Sequence, residues 1–296
     1  MELRSWMYIL FVACFLSSCT WFNPYEINVM EDDFKCVSYY LPVNRDSSLF
    51  FFSRSFDPYN QYSNEFLDFC AEVSTSQSTT TSCGEMLDDT ASIWLDTKYI
   101  GSLLPGDSVF LSIESPAFDM ISSSSVVPEK SQISGYYMSS RTYDNDLDYF
   151  DEIVLELNDP SSNDEAYMLQ LILHIDTLYA DSPKMKSLKS DDVNMIRRKF
   201  GGDVLEDALF FDDACFEGGN YTFHFRTLNT LDDGVPYHYT LLVHSISKSM
   251  YKFFYDLEAA DLTGFFYGGS FSVYSNINGA HGCFGIMQST PVLLFP

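Results

Sequence analysis

The sequence predicts a mainly β protein, with an N-terminal Ig-like β-sandwich followed by a second β-rich domain holding one or two short helices. Three observations carry this. Aromatics are abundant, with 26 Phe and 20 Tyr, and aromatic and β-branched side chains suit a pleated, half-buried surface. They fall in short apolar runs punctuated by Gly, Pro, Asn and Asp, which bound strands. Only one stretch, near residue 250, carries a clear helical period.

The chain opens with a bacterial lipoprotein signal peptide over residues 1–18. Arg4 supplies the positive start, residues 6–16 form an uncharged apolar run, and Leu16-Ser17-Ser18-Cys19 is a large residue, two small ones and a cysteine. The run is too short for the ~20 residues of a membrane-spanning helix and suits a segment that is cleaved off. Cleavage leaves Cys19 to carry a diacylglycerol on its thiol and a third acyl chain, such as palmitate, on its amine. Several chains at ~0.8 kcal/mol per buried methylene make a stable anchor where one is marginal. Residues 19–33 form the lipidated tether. Its cluster Glu31-Asp32-Asp33 reads as a solvated linker first and as a surface-export cue second.

Residues 34–128 form the predicted Ig-like sandwich domain. Strands are expected at 34–41, closed by Pro42, and at 49–52, 91–95 and 109–113. The Pro105-Gly106-Asp107 turn leads into the last of these. Cys70 and Cys83 flank a Ser/Thr-rich segment at 74–82 that reads as a loop between two strands. A disulfide between them suits an exported protein, with buried free thiols as the alternative. Of seven cysteines, Cys14 leaves with the signal peptide and Cys19 is acylated. Cys36, Cys70, Cys83, Cys215 and Cys283 remain, an odd number, so at least one is unpaired in the monomer. No Cys-x-x-Cys spacing exists, and a zinc site has no support. Serines 122–125 and Pro128 mark the expected domain boundary.

Residues 129–296 form the β-rich C-terminal domain. Strands are expected at 153–157, 167–175, 221–225, 239–243, 270–274 and 292–295. Residues 191–200 read as a short helix or a loop. The main helix is expected at 249–260, where Met250, Phe253, Phe254 and Leu257 share one face and Ser249 caps the N-terminus.

The net charge of −26 excludes nucleic acid and anionic membrane surfaces as partners through charge attraction. Asp144, Asp146, Asp148 and Asp151 open like a calcium loop. Tyr149 and Leu155 stand where an EF-hand needs Gly and Glu, so a solvated acidic loop is the stronger reading. Gly268-Gly269-Ser270-Phe271-Ser272 lacks the last glycine of a nucleophile elbow, and His281 is the nearest histidine. His174, His224, His238 and His244 lie singly in strand-like runs. With 42 acids, no carboxylate pair stands out for a hydrolase. No catalytic residue and no cofactor is expected.

The order of motifs resembles a Bacteroidetes lipoprotein family, the domain-of-unknown-function family 4249. The matching residues are Cys19; Pro105-Gly106-Asp107; Val127-Pro128; Asn158-Asp159-Pro160 with Tyr167; Phe211-Asp212-Asp213 with Phe216-Glu217-Gly218; Ser245-Ile246-Ser247; and Val273-Tyr274-Ser275-Asn276-Ile277 before Asn278-Gly279. The loop after Gly279 is one residue longer than the family's. The resemblance implies an outer-membrane, cell-surface lipoprotein with an Ig-like N-terminal sandwich and TonB-dependent transporters in its gene neighbourhood. It brings no activity and no catalytic residue. The expectation is therefore a non-enzymatic, lipid-anchored accessory to a TonB-dependent barrel. A free-standing adhesion or structural module is the alternative, and a carboxylate-based hydrolase a more distant one.

Overall fold

Period-two alternation builds two sandwiches, and the last strand of the chain belongs to both. The computed structural model describes residues 35–43, 46–54, 67–86, 90–100, 102–142, 149–159, 165–175, 182–190, 196–198, 208–215, 219–231, 235–267 and 273–296. Cys19 with its tether, Asp144, Asp146, Asp148, and the segment 268–272 lie outside the described residues.

The first sandwich uses strands β1 (Lys35–Pro42), β2 (Ser47–Arg54), β3 (Leu67–Ser74), β4 (Thr79–Met86), β5 (Thr90–Asp96), β6 (Ser108–Ser115) and β7 (Phe118–Val126). In β6 the burial alternates, with Val109, Leu111 and Ile113 inward. The same alternation points Val37, Tyr39 and Leu41 of β1, and Phe50 and Phe52 of β2, into one core with Phe69, Ala71 and Val73 of β3. Tyr39 stacks on Phe284 at 5.5 Å between ring centroids. Its hydroxyl shares a 2.7 Å hydrogen bond with Ser48.

The second half adds β8 (Gln132–Thr142), β9 (Tyr149–Asn158), β10 (Ala166–Ile175), β11 (Lys184–Lys186), β12 (Ile196–Arg198), β13 (Ala208–Asp212), β14 (Asn220–Asn229) and β15 (Tyr237–Ile246). Helix α1 (Lys248–Tyr267), β16 (Ile277–Asn278) and β17 (His281–Leu294) follow. The sheet β14-β9-β8 packs Ile153, Leu155, Leu157, Phe223 and Phe225 against Tyr167, Leu169, Leu171, Tyr239 and Leu241 of β10 and β15. The opposite face of β10 and β15 is also covered. Met250 and Phe254 of α1 pack there on Ala166, Met168, Phe210, Ile246 and Cys283. A β-carbon on Gly285 would lie 2.8 Å from Met250 Cβ, so this glycine lets α1 sit close on β17.

β17 ties the halves together. Residues 281–287 pair parallel with β1, and residues 287–294 pair antiparallel with β15. One face of this strand supplies Phe284 and Ile286 to the first core, then Val292 and Leu294 to the second. Gln288 and Thr290 fall between them in the alternation. A nine-stranded sheet thus runs β12-β13-β10-β15-β17-β1-β2-β5 with β11 beside β10, and Lys35–Pro296 is one compact unit.

Several local expectations change. Serines 122–125 are not a break in the structure: they sit inside β7, paired with β6 on one side and, at Ser122 and Ser123, with β16 on the other. The Ser/Thr-rich stretch is loop only at 75–78, because Thr79 to Ser82 pair with β3. Ile196–Arg198 is a strand, held by β13. Val273 and Tyr274 are irregular, whereas the final strand is 14 residues long, since β1 pairs with its first half and β15 with its second. The helix runs 20 residues and its cap is Ser247, not Ser249. Ser247 donates its N–H to Ile286 O (2.9 Å) and accepts Tyr251 N–H (3.1 Å), while its Oγ accepts Ile286 N–H at 3.2 Å. The cap therefore continues the β15–β17 ladder for one more residue.

Candidate functional site

Alternation places Asp151 in the inward row of β9 with Ile153, Leu155 and Leu157, and it is wholly buried. Its Oδ2 accepts the Tyr239 hydroxyl at 2.9 Å, the Tyr237 hydroxyl at 3.0 Å and Asn229 Nδ2 at 3.2 Å. Burial and the Asp151 charge push the Tyr239 hydroxyl up, so it stays a donor. This carboxylate is thus engaged by neutral donors inside the second core. Among the described residues, no group of three or more His, Cys, Asp or Glu is arranged to hold a metal ion.

Cys70 and Cys83 face each other across β3 and β4 and are joined as a disulfide. Cys283 is buried and Cys36 half-buried, both as free thiols. Burial pushes both thiols up. His281 is exposed. His224 is 3.9 Å from Glu152, and His174 stacks on His238 at 4.6 Å. His244 lies between Gln170 Oε1 (3.0 Å) and Ser289 Oγ (2.8 Å).

Sequence reasoning missed one concavity. A cavity of about 450 Å³ opens where β7 and β15 end and β10 begins, lined by Gly106, residues 124–129, Glu165, Ala166 and residues 245–249. The turn that holds its rim follows from local chemistry. Pro105 presets one central position of the turn, and Gly106 takes the left-handed conformation (φ 87°) at the other. Asp107 N–H donates to Leu104 O at 3.0 Å, and Asp107 Oδ2 accepts Leu104 N–H at 2.8 Å. Gly106 N–H and Val127 N–H then clamp the end of β7, each at 2.9 Å. Three segments carrying the resemblance (Pro105-Gly106-Asp107, Val127-Pro128 and Ser245-Ile246-Ser247) meet here, a juxtaposition created by the topology.

Two lining hydroxyls are unusual. Ser125 and Ser245 are 6% and 1% exposed. Among the described residues, their Oγ atoms are buried without a hydrogen-bond partner, as is Gln288 Oε1. Buried polar atoms are nearly always satisfied, and these two oxygens are closed to solvent, so they lie behind the cavity surface and present nothing to it.

The charges lining the cavity are of both signs. Glu165 accepts the Tyr167 hydroxyl at 2.5 Å, and burial with the neighbouring acids pushes that hydroxyl up. Glu165 also exchanges backbone bonds with Asp213: Asp213 Oδ2 accepts Glu165 N–H at 2.7 Å, and Asp213 N–H donates to Glu165 O at 3.1 Å. Burial, reinforced by Asp159 and Glu165, pushes the Asp213 carboxyl up to about 6. In the same lining, Lys248 is exposed and α1 begins. The first N–H groups of a helix lack intrahelical acceptors and carry a partial positive charge.

No protein-family model matches this sequence, and no curated protein does. Among solved structures, the chain is similar to a collagen-binding domain from a Staphylococcus aureus adhesin, at 8% identity and TM-score 0.22, over 54% of this chain and 97% of that one. It is similar to an alpha-2-macroglobulin of Salmonella at 7% identity and TM-score 0.25, over 88% of this chain and 15% of that one. It is also similar to the collagen binding domain of an Erysipelothrix rhusiopathiae surface protein, at 8% identity and TM-score 0.20, over 88% and 96%. At these TM-scores the likeness carries no argument about ligand or partner.

Proposed function

We propose that this chain is a non-enzymatic, lipid-anchored surface protein of the outer membrane that captures a small ligand in the junction cavity and works beside a TonB-dependent barrel. The observation that carries the capture role is the cavity of about 450 Å³ at the junction, lined from β7, β10, β15 and the start of α1. A pocket of this size, with a few convergent polar groups, suits a small molecule. The anchor reading is supported by the Leu16-Ser17-Ser18-Cys19 pattern, and export by the Cys70–Cys83 disulfide. The barrel as partner rests on the family resemblance.

The test is a mild-detergent pull-down of the natively expressed, C-terminally tagged lipoprotein with mass spectrometry of its companions. A stoichiometric TonB-dependent barrel is the expected result. Recovery of the lipoprotein alone, under conditions that keep known membrane complexes intact, rejects the accessory role. A Cys19→Ala variant is expected to leave the membrane fraction while still folding, and its retention in that fraction rejects lipid anchoring.

One observation favours a second reading, in which the first sandwich itself binds a large surface. Leu49, Phe51 and Trp94 share the outer face of β2 and β5, with Phe51 41% and Trp94 65% exposed. Such a patch suits a macromolecular contact, as in an adhesion module.

A further inference from the structure

We propose that β8 is a docking edge, to which an extended segment of a partner protein, alternating apolar and basic residues, adds as a further strand of the β14-β9-β8 sheet. The inference is independent of the junction cavity.

An antiparallel strand turns the N–H and C=O of every second residue away from its neighbour. At a sheet edge those groups are a template for another chain, and folds guard them with cover, proline or charge. Among the described residues, the other long edges are guarded. Along β5, Asp96 O and Trp94 O accept the hydroxyls of Thr80 (2.9 Å) and Ser82 (3.1 Å) from β4. Residues 187–190 meet β14: Lys189 and Arg226 exchange backbone bonds, both at 2.9 Å, and Thr227 Oγ1 donates to Ser187 O at 2.9 Å. β7 pairs with β16 at Ser122 and Ser123, and Ser123 Oγ donates to Asn276 O at 2.7 Å. β17 beyond Met287 carries Pro291, which has no N–H to offer.

β8 has none of these. Among the described residues it pairs with β9 alone, and Gln132 to Ser140 include no charged residue. Its one register shift falls at Ile133/Gly135, and from Gly135 to Thr142 the pairing with β9 is regular, an ordinary strand's length. Tyr136 stands opposite the inward Leu155 and Tyr137 opposite Val154 on the other face; they are 50% and 55% exposed.

Charge names the occupant. Glu156 stands opposite Gly135. A β-carbon on Gly135 would lie 2.6 Å from Glu156 Oε2, so the missing side chain lets this carboxylate lie over β8. Glu156 is exposed, and its carboxylate has no hydrogen-bond or ion-pair partner among the described residues. An added strand runs ~4.8 Å farther out, where a lysine or arginine of its outer row reaches Glu156. Its inner row lies beside Tyr136 and Met138, and Met138 packs on the second core, so apolar side chains fit there. A second copy of this chain is disfavoured because it brings a further net charge of −26.

The experiment is hydrogen exchange of the full mature lipoprotein in detergent, titrated with end-capped peptides of about eight residues, the length of an ordinary strand. One alternates valine and lysine, one valine and glutamate, and the third is the valine–lysine peptide N-methylated at alternate amides. Saturable protection of β8 by the first is expected, with β3 and β6 unchanged and the other two about tenfold weaker or more. Glu156→Gln is expected to shrink the preference for lysine over glutamate. Tyr137→Lys places a charge on the edge and is expected to abolish protection. If β8 gains no protection, or if the three peptides act equally, the proposal is overturned. A dimer in sedimentation that Tyr137→Lys dissociates makes the occupant a second copy and also overturns it. The peptide comparison on the unaltered protein stands even if a variant fails to fold. A barrel recovered in the pull-down without peptide protection of β8 overturns only this proposal.

Discussion

The first sandwich closes on Tyr39, Phe50, Phe52 and Phe69, and its inward rows in β1, β3 and β6 are apolar. The second closes on Tyr167, Phe211, Phe223 and Tyr239, yet places Asp151 in the inward row of β9 and Asp159 and Asp213 under its edge. The same alternation rule built both. The first is fastened covalently across β3 and β4, whereas the second is fastened by hydroxyls and an amide converging on one carboxylate. A disulfide constrains the unfolded chain and is indifferent to proton concentration over the ordinary range. A buried carboxylate ties stability to its donors. The cavity lies where these two constructions meet.

The strongest way to break the comparison is through the shared strand. Gly282 has φ 119°, and a β-carbon there would overlap the Val37 carbonyl oxygen across the β1–β17 pairing. Gly282→Val is expected to cost more than ~4 kcal/mol. Both sandwiches should then lose protection together in hydrogen exchange. Retention of the second alone would show that β17 does not couple them.

Asp151→Leu should act on one side only. It leaves the Tyr237 and Tyr239 hydroxyls and the Asn229 amide without their carboxylate acceptor, at about 3 kcal/mol. Faster exchange is expected in β9, β14 and β15 and not in β3 or β6. Equal loosening of β3 would dissolve the distinction between the sandwiches. The mirror experiment is Cys70→Ala with Cys83→Ala. The disulfide closes a short loop with a sequence separation of 13, so its loss should cost about 2–3 kcal/mol. The measured loss should appear in β3 and β4 first.

The smallest effect sharpens the contrast by pH. The Asp213 carboxyl stands at about 6 in the folded protein against its ordinary 3.8. Between these values the folded state holds the proton and the unfolded state does not. Its presence therefore lowers stability as pH rises through that window, and the loss is complete above about 6. Wild type is expected to be less stable than Asp213→Asn at pH 7, with the gap closing toward pH 4. A gap independent of pH in paired denaturation curves would remove the Asp213 charge from the account.

Much of this fold is legible in the residues. Short aromatic runs locate β1, β2, β5, β6, β9, β10, β14 and β15, because a strand's period of two survives in any tertiary setting. The spacing of Met250 and Phe254 locates α1 for the same reason. Serines 122–125 mislead because serine's preference for turns is weak beside the ladder that β6 and β16 offer. The true extent of β17 stays hidden, since glycines at 282 and 285 look like turn residues. Here they permit close approach of β1 and α1. Asp151 shares parity with Ile153, Leu155 and Leu157, which marks it as inward-facing in β9.

The sequence by itself determined the strand-rich class, the helix near residue 250 and the turn at Gly106. All of these depend on neighbours within a few residues. Only the tertiary structure decided that β17 serves two cores, and that Ser125, Glu165, Ser245 and Lys248 line one cavity. Those juxtapositions join residues far apart in the chain. They arise from which edges pair and which faces pack, and local periodicity carries no record of that choice.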